Sequence, residues 1–462
     1  MSTPSGTRTS ILWDDADLAR LVKAATAGTS GRLRATVLSH LAVPSTPAAR
    51  LAADVEVDLG MVRAAYRHCR SSTAVHELVS SNYYPHRLRW AAAASTITEW
   101  RRSPDRPARI AAREPVMSET VEIHPTRGTC NYSCAMCLWS DQKELTYTTQ
   151  SLDTGGLLSA HEWIRLLGDL RDGGAQRVVV SGGGEALINP DLPEVLTAAA
   201  DLGFEIHVYT TGYSIRPGTP LFAALLRCHR IRFSVHSPDP VTYDRIAGTR
   251  PQQRALQRVV DNLASLRTAR SDGLQLGMGC VIQPFNVDQT ADMAAFAAEA
   301  EADWLDLRKD EVEVTNSLDD RQIAQLREQL RAVRAAPPDG TRIDLGDELV
   351  AVANGSTPQR ARTRECMARY LRPTISPYGL LAPCDLKAEP RFAQSGYDLG
   401  NIKRSRILDV ITSSAQQPIA DDCSQCMPSS RTGNAVVHKL LDDLAAGLTL
   451  DEQPFSYAPA GP

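Results

Sequence analysis

Seven of the ten cysteines in this 462-residue chain fall into two sets. Cys130, Cys134 and Cys137 have the spacing C-x3-C-x2-C. In a reducing compartment, sets this compact read as metal sites and not as disulfides. Three thiolates can wrap one face of a cubane-type iron–sulfur cluster and leave its fourth iron open to an outside ligand. A zinc ion would need a fourth nitrogen or sulfur, for which His124 and His161 are the near candidates. The second set is Cys366 and Cys384, bracketing Gly379, followed by Cys423 and Cys426. Four cysteines can close a tetrahedral zinc site or ligate every iron of a second cluster, and the spacing leaves both open. Cys69, Cys228 and Cys280 stand singly on apolar segments and read as buried thiols.

Composition sets the frame for these ligands. Hydrophobic residues make up 43% and charged residues 23% of the chain, which excludes disorder, collagen and coiled coil as global descriptions. The length suggests roughly three domains. A formal net charge of −4 gives no sign of wholesale nucleic-acid or anionic-membrane binding. No apolar run approaches the roughly 18 residues of a bilayer span. The opening MSTPSGTRTS lacks the charged-then-apolar order of a secretory signal, so a cytoplasmic protein is expected.

Residues 1–115 are rich in Ala, Arg and Leu with helical periodicity. Leu33, Val37, Leu38 and Leu41 share one stripe, as do Val62, Ala65 and Tyr66. The segment from Thr46 to Cys69 reads as helix-turn-helix, but Arg63 and Arg67 alone are thin support for DNA contact. A small helical domain covering another surface is the preferred reading. From about residue 118 the pattern alternates. Strands are predicted at Thr120–Ile123, Arg177–Ser181, Glu205–Tyr209, Arg230–Val235, Leu274–Ile282 and Trp304–Leu307. Helices between and after them cover Ala160–Arg171, Asp191–Leu202, Pro220–Cys228, Pro240–Arg270, Val287–Glu301 and Asp319–Ala336. Six such repeats predict an α/β fold, a partial (β/α)6 TIM-type barrel over residues 116–336. In such a barrel the chemistry lies on loops after the strand C-termini. Residues 337–432 form an irregular cysteine-rich subdomain, and residues 433–462 a final helix with a frayed tail.

The C-x3-C-x2-C motif in the loop after the first strand resembles the radical S-adenosylmethionine superfamily. Other stretches follow in the family's order. Gly182, Gly183, Gly184 and Glu185 resemble its Gly-Gly-Glu-Pro motif, with Ala186 for the proline. Tyr209-Thr210-Thr-Gly resembles its third-strand Thr-Asn-Gly, and Gly277-Met-Gly279-Cys-Val281-Ile resembles its adenine-lining fifth strand. The likeness covers about residues 118–335. It implies a [4Fe–4S] cluster on Cys130, Cys134 and Cys137, and S-adenosylmethionine bound through Met136, the glycine loop, Glu185, Thr210, Ser234, Gly279, Val281 and Arg308. The second set resembles the family's twitch subdomain, which implies an auxiliary [4Fe–4S] cluster on Cys366, Cys384, Cys423 and Cys426, with zinc as the alternative.

The whole chain is similar to radical enzymes of antibiotic pathways that act on sugars and aminocyclitols. That likeness implies a 5′-deoxyadenosyl radical taking hydrogen from a carbinol carbon of an aminoglycoside-type substrate. Dehydration of a vicinal diol stands ahead of dehydrogenation of a secondary alcohol. A radical at such a carbon acidifies its hydroxyl, so a base and an acid are needed. Lys309, Asp310 and Glu311 after the sixth strand, with His236 after the fourth, are the candidates. Tyr209 is a secondary one. Tyr83, Tyr84, His86 and Arg87 are placed to reach the barrel mouth from the helical domain. A small-molecule carbohydrate substrate and a one-electron reductant of the flavodoxin or ferredoxin type are the expected partners, with no nucleic acid and no membrane. Radical modification of a ribosomal peptide and a zinc-dependent transcription factor are the readings from other classes.

Overall fold

The computed structural model describes residues 15–81, 84, 86–137, 156–310, 317–355, 365–388, 397–419 and 426–455. Within them one sheet organises the chain. Its strands are β1 (Thr120–Ile123), β2 (Arg177–Val180), β3 (Glu205–Thr210), β4 (Arg230–Ser234), β5 (Gln275–Ile282), β6 (Trp304–Lys309), β7 (Arg342–Leu345), β8 (Thr374–Ile375), β9 (Leu380–Ala382) and β10 (Gly400–Asn401). They lie in the order β10-β9-β8-β1-β2-β3-β4-β5-β6-β7. From β8 through β7 every neighbouring pair is parallel, and only β9 runs against its neighbours β8 and β10. The six strands read from the sequence are all present, each within two residues of its expected ends.

Alternation along the strands divides inside from outside, because successive side chains leave a strand on opposite faces. Val121, Ile123, Val178, Val180, Ile206, Val208, Ile231, Phe233, Met278, Cys280, Leu305 and Leu307 belong to one large core with the flanking helices. The residues between them face the hollow of the curved sheet. Cys228 and Cys280 are buried and burial pushes both thiols up to about 12, as for packed, inert thiols.

Two expectations change. The sheet crosses the boundary drawn at residue 336. β7 pairs with β6, its Ile343 and Leu345 join the large core, and the helix Asp347–Ala353 follows. β8 extends the opposite edge beside β1. Two-residue β8 carries too little periodicity to be seen in sequence, and β7 follows the Pro337-Pro338 break, where the repeats read from the sequence end. The single helix expected over Pro240–Arg270 is two, Pro240–Ala247 and Ala255–Ala269. Gly248 ends the first in the left-handed region at φ +64°, and a β-carbon there would lie 2.5 Å from the Ser133 carbonyl. The break exists so that the cysteine loop can approach.

The helical N-terminal segment packs against the end of the chain. Val37, Trp90, Trp100 and Ile110 share a core with Val436, Leu440 and Phe455, so the tail is docked at least to Phe455. In the expected helix-turn-helix (Ala48–Asp54 and Leu59–Ser71), Arg63 pairs with Glu452 at 3.2 Å and donates to the Gly447 carbonyl at 2.9 Å. Its positive charge faces the chain's own tail. No helix among the described residues is long and apolar enough to cross a membrane.

One buried charge pair locks this junction. Lys439 and Asp443 are both 0% exposed and 2.5 Å apart. Asp443 also accepts from the Ala48 amide at 2.6 Å and from Gln453 Nε2 at 3.0 Å. Removing one member of such a pair strands the other. Lys439→Ala should cost about 3–5 kcal/mol, measured by urea unfolding of the full chain. A loss below about 1 kcal/mol would show that the pair does not hold the two ends together.

Candidate active site

The cysteine loop is gripped from three sides. After β2 the chain passes through Gly182, Gly183 and Gly184, all at positive φ. β-Carbons at these positions would lie 2.3 Å from His124 Nε2, 2.1 Å from the Thr126 carbonyl and 2.1 Å from the Thr129 carbonyl. The His124 ring therefore requires Gly182, and the cysteine loop's own backbone requires Gly183 and Gly184. The Glu185 amide donates to the same Thr129 carbonyl at 2.9 Å. On the far side, the Ser133 and Ala135 amides donate to the Ala247 and Ile246 carbonyls at 2.8 and 3.2 Å. Tyr132 is buried and lies 3.1 Å, hydroxyl to hydroxyl, from Tyr243. Asn131 accepts from Thr211 Oγ1 at 3.1 Å and donates to Ser214 Oγ at 3.2 Å.

Held this way, Cys130, Cys134, Met136 and Cys137 stay half-buried. The Tyr132 amide donates to Cys130 Sγ at 3.4 Å, a contact that favours thiolate over thiol. Three accessible sulfurs on a backbone-clamped loop, one of them met by an amide, are a donor set that fits a [4Fe–4S] cluster bound through three cysteines.

Glu185 is 2% exposed and ties neighbouring loops together. Its Oε1 accepts from Thr210 Oγ1 at 2.6 Å and the Leu187 amide at 3.0 Å, and its Oε2 from the Thr211 amide at 2.6 Å. Burial pushes its pKa up against these hydrogen bonds. Thr210 accepts in turn from the Gly212 amide at 2.8 Å, so its hydroxyl is committed to the loop. Below lies a second buried carboxylate. Glu122 accepts from Ser181 Oγ, meets His124 Nε2 at 3.1 Å and pairs with Arg372 Nε at 3.0 Å. Burial opposes its charge, but Arg372 and His124 outweigh burial and hold it well below the usual carboxylate range. Arg372 also reaches Asp385 at 3.8 Å, the residue after Cys384.

At the strand ends, Ser234, Val281 and Arg308 fall on the inward side by alternation and by the register Ser234↔Gly279 and Val281↔Arg308. Gly279 leaves room for Arg232, whose Cδ would stand 3.0 Å from an added β-carbon. His236 is 7% exposed, and its Nδ1 accepts from the Val281 amide at 3.2 Å. Burial, with Arg232 adding, lowers its pKa to about 4. The ring is neutral at physiological pH, and with Nδ1 occupied as acceptor its proton sits on Nε2. That geometry equips His236 to donate a hydrogen bond, where the sequence suggested proton transfer. Lys309 is half-buried and Asp310 is 5% exposed, both at the end of β6. Glu311 lies outside the described residues.

Sequence reasoning missed the hollow itself. Below the strand ends a cavity of about 190 Å³ is lined by Tyr209, Arg230, Arg232, Trp304, Asp306 and Arg308 among others, with Arg87 entering from the helix Arg87–Arg102. Arg87 pairs with Asp344 at 3.0 Å, and both side chains are under 10% exposed. Arg87 thus reaches the hollow from its open side and not the barrel mouth. Tyr84 is buried in the N-terminal core with its hydroxyl donating to the Leu41 carbonyl at 2.7 Å, and Tyr83 lies outside the described residues. Arg232 stands 3.9 Å over the Tyr209 ring and Arg230 4.2 Å over the Trp304 ring. The missed signal was every second residue of β3, β4 and β6 being polar, although parallel strands under helices are usually apolar throughout.

In the second set, Cys366, Cys384 and Cys426 are half-buried, and Cys423 lies outside the described residues. Cys366 accepts from Asn434 Nδ2 at 3.8 Å, and Cys426 lies two residues before the helix Pro428–Ala445 that carries Asn434. Cys384 follows β9, next to the Arg372–Asp385 contact.

Comparison with known proteins agrees with this geometry. Residues 125–297 match the Radical SAM superfamily, so this part of the chain carries a radical SAM domain. That superfamily implies a [4Fe–4S] cluster and S-adenosylmethionine as cofactors of this domain. Among curated proteins the chain is 25% identical over 279 residues to dTDP-4-amino-4,6-dideoxy-D-glucose ammonia-lyase of Streptomyces venezuelae, covering 58% of this chain and 55% of that one. It is 28% identical over 261 residues to the PqqA peptide cyclase of Xanthomonas oryzae pv. oryzae, covering 55% of this chain and 65% of the relative. The chain thus spans just over half to two thirds of these relatives' lengths. In fold it resembles Streptococcus suis SuiB bound to its precursor peptide SuiA, with a TM-score of 0.50 at 15% identity over 66% of this chain and 67% of the other.

Gly183→Ala would force a side chain onto the Thr126 carbonyl at a positive φ. It should lower iron content after anaerobic reconstitution, and an iron count equal to the parent's would refute the clamp. The pH response of His236 has a defined sign. An unfolded histidine takes a proton near 6.5, whereas the folded ring refuses it until about 4. Its contribution is therefore complete above about 6.5 and lost as pH falls towards 4. In urea unfolding, the stability gap between the parent and His236→Gln should shrink over that window. A pH-independent gap would contradict the buried neutral ring.

Proposed function

We propose that this radical SAM enzyme acts on a carbohydrate, taking hydrogen from a carbinol carbon and eliminating the neighbouring hydroxyl of a vicinal diol. The observation that carries the reading is the set of polar groups at the strand ends: Lys309 and buried Asp310 closing β6, with neutral His236 beside β5. The lyase chemistry named for the Streptomyces venezuelae relative on an amino sugar supports it.

Cys130, Cys134 and Cys137 would hold the cluster, and S-adenosylmethionine bound there supplies the 5′-deoxyadenosyl radical that removes the hydrogen atom. The chain's own residues then manage protons. Asp310 or Lys309 accepts the proton of the acidified carbinol hydroxyl, leaving a ketyl on the substrate. His236 donates a hydrogen bond through Nε2 and orients a hydroxyl. The departing hydroxyl leaves as water once a protonated Lys309 supplies its proton. One electron from a flavodoxin- or ferredoxin-type reductant, and one proton, complete the product. The buried second carboxylate system at Glu122 and Arg372 supports the loops and stays out of proton transfer. An auxiliary [4Fe–4S] cluster on Cys366, Cys384, Cys423 and Cys426 is part of this proposal.

Peptide modification draws its support from the PqqA peptide cyclase relative. The described residues between 15 and 111 are helical, with no strand pair, and the carbohydrate reading is preferred. The test uses diols deuterated at the carbinol carbon. Deuterium should appear in 5′-deoxyadenosine with loss of water from the substrate, and Cys134→Ala should abolish both. Loss of two hydrogens without water would make the enzyme a dehydrogenase. No deuterium transfer from any carbohydrate, with transfer from a peptide, would overturn the proposal.

A further inference from the structure

The hollow of the barrel is charged in a way that the chemistry at its mouth does not require. Four guanidinium groups, Arg87, Arg230, Arg232 and Arg308, line the cavity beside two carboxylates, Asp306 and Asp344. Both carboxylates are shared. Asp306 meets Arg308 at 3.0 Å and Arg232 at 3.4 Å, and Asp344 meets Arg87 and Arg342 at 3.0 Å each. Arg230 forms no ion pair among the described residues and rests on the Trp304 ring. The Trp304 indole N–H, on a side chain 2% exposed, has no partner, and neither has Arg232 Nε. Arg87 Nε is a third such donor, and the cavity's one acceptor on that footing, Asp344 Oδ1, is ion-paired with Arg87. Buried donors without partners are costly, and what satisfies several guanidinium donors together is an oxygen-rich anion, above all a phosphoryl group.

Position separates this anion from the cofactor. Arg230 opens β4 and Ser234 closes it, a rise of roughly 13 Å at about 3.3 Å per residue. The carboxylate of S-adenosylmethionine, expected at the strand ends, is too far away to neutralise Arg230. A hollow of about 190 Å³ is smaller than the roughly 300–1,000 Å³ of sites that swallow a whole ligand. It admits one compact group while the rest of the molecule extends towards the mouth. Glycine makes the room: a β-carbon at Gly277 would lie 2.1 Å from the Trp304 ring.

We propose that this cavity binds the phosphoryl group of a phosphorylated sugar, carried as a sugar phosphate or as a nucleoside diphosphate ester, and so places the sugar ring at the barrel mouth. The inference rests on the carbohydrate reading and narrows it. An aminoglycoside intermediate rich in ammonium groups would meet like charge here, so the expectation of an aminoglycoside-type substrate gives way to an anionic one.

The test is anaerobic calorimetry on the reconstituted full chain with glucose 1-phosphate, dTDP-glucose and 2-deoxystreptamine. At least one phosphorylated probe should bind about ten-fold or more tightly than the diaminocyclitol, and added salt should weaken it. Which of the two binds identifies the source of the phosphoryl group. Arg230→Gln should weaken that binding about ten-fold or more with an unchanged melting temperature, and Arg230→Lys should restore part of it. If Arg230→Gln does not fold, Trp304→Phe, which deletes only the indole N–H and its ring, serves instead and should also weaken binding. Equal or tighter binding of the diaminocyclitol, no binding of either phosphorylated probe, or parent-like binding by the variants overturns the inference. Deuterium transfer from an unphosphorylated aminocyclitol would sink it while leaving the carbohydrate reading intact. Failure of every carbohydrate to transfer deuterium would sink that reading whatever the cavity binds.

Discussion

Two loops interlock where β1 and β2 end, and the site depends on that contact. The loop after β2 can lie against the loop after β1 only because Gly182, Gly183 and Gly184 present no side chains to His124, Thr126 and Thr129. Glu185 then extends the clamp to the third strand through Thr210 and Thr211. Gly248 repeats the device from the other side against Ser133. The cysteines themselves contribute little to this order. They are carried on a backbone whose position is set by carbonyls packed against glycines, which is how a loop of half-exposed thiols can be held without a hydrophobic core of its own.

The hollow is the second organising feature. A closed parallel barrel fills its interior with branched apolar side chains. Here the sheet is open, and its inner face carries Arg, Asp, His and Trp, paired among themselves and closed at the side by Arg87 from the N-terminal helices. Charge in such a place survives because each carboxylate meets two guanidinium groups. The price is a surplus of donors, and that surplus is what separates a packed interior from a binding site.

The two ends of the chain serve the same purpose. Trp90, Trp100, Val436, Leu440 and Phe455 form a core of their own, fixed by Lys439 and Asp443. The helix that carries Arg87 is one wall of it. The segment that resembled helix-turn-helix is a packing layer whose Arg63 is occupied by residues 447 and 452.

Much of this was legible beforehand, and the reason is local. Strand and helix periods are set within a few residues, so β1 to β6 and the cysteine loop could be read directly, with Val178, Ile206 and Ile231 marking the buried face. β7 and β8 were not legible, since both lie beyond the six strand–helix repeats and are placed by pairing with β6 and β1. The sequence by itself determined the cysteines, their spacing and the repeating unit that carries them, because covalent order and side-chain period alone specify these. Only the tertiary structure decided that the glycines serve the cysteine loop, that His236 is a neutral donor, and that Arg87, from a helix some 140 residues before Arg230, faces the same hollow. Those outcomes depend on which backbone approaches which, and on how many charges share one buried volume, quantities that come into existence only when distant segments close on each other.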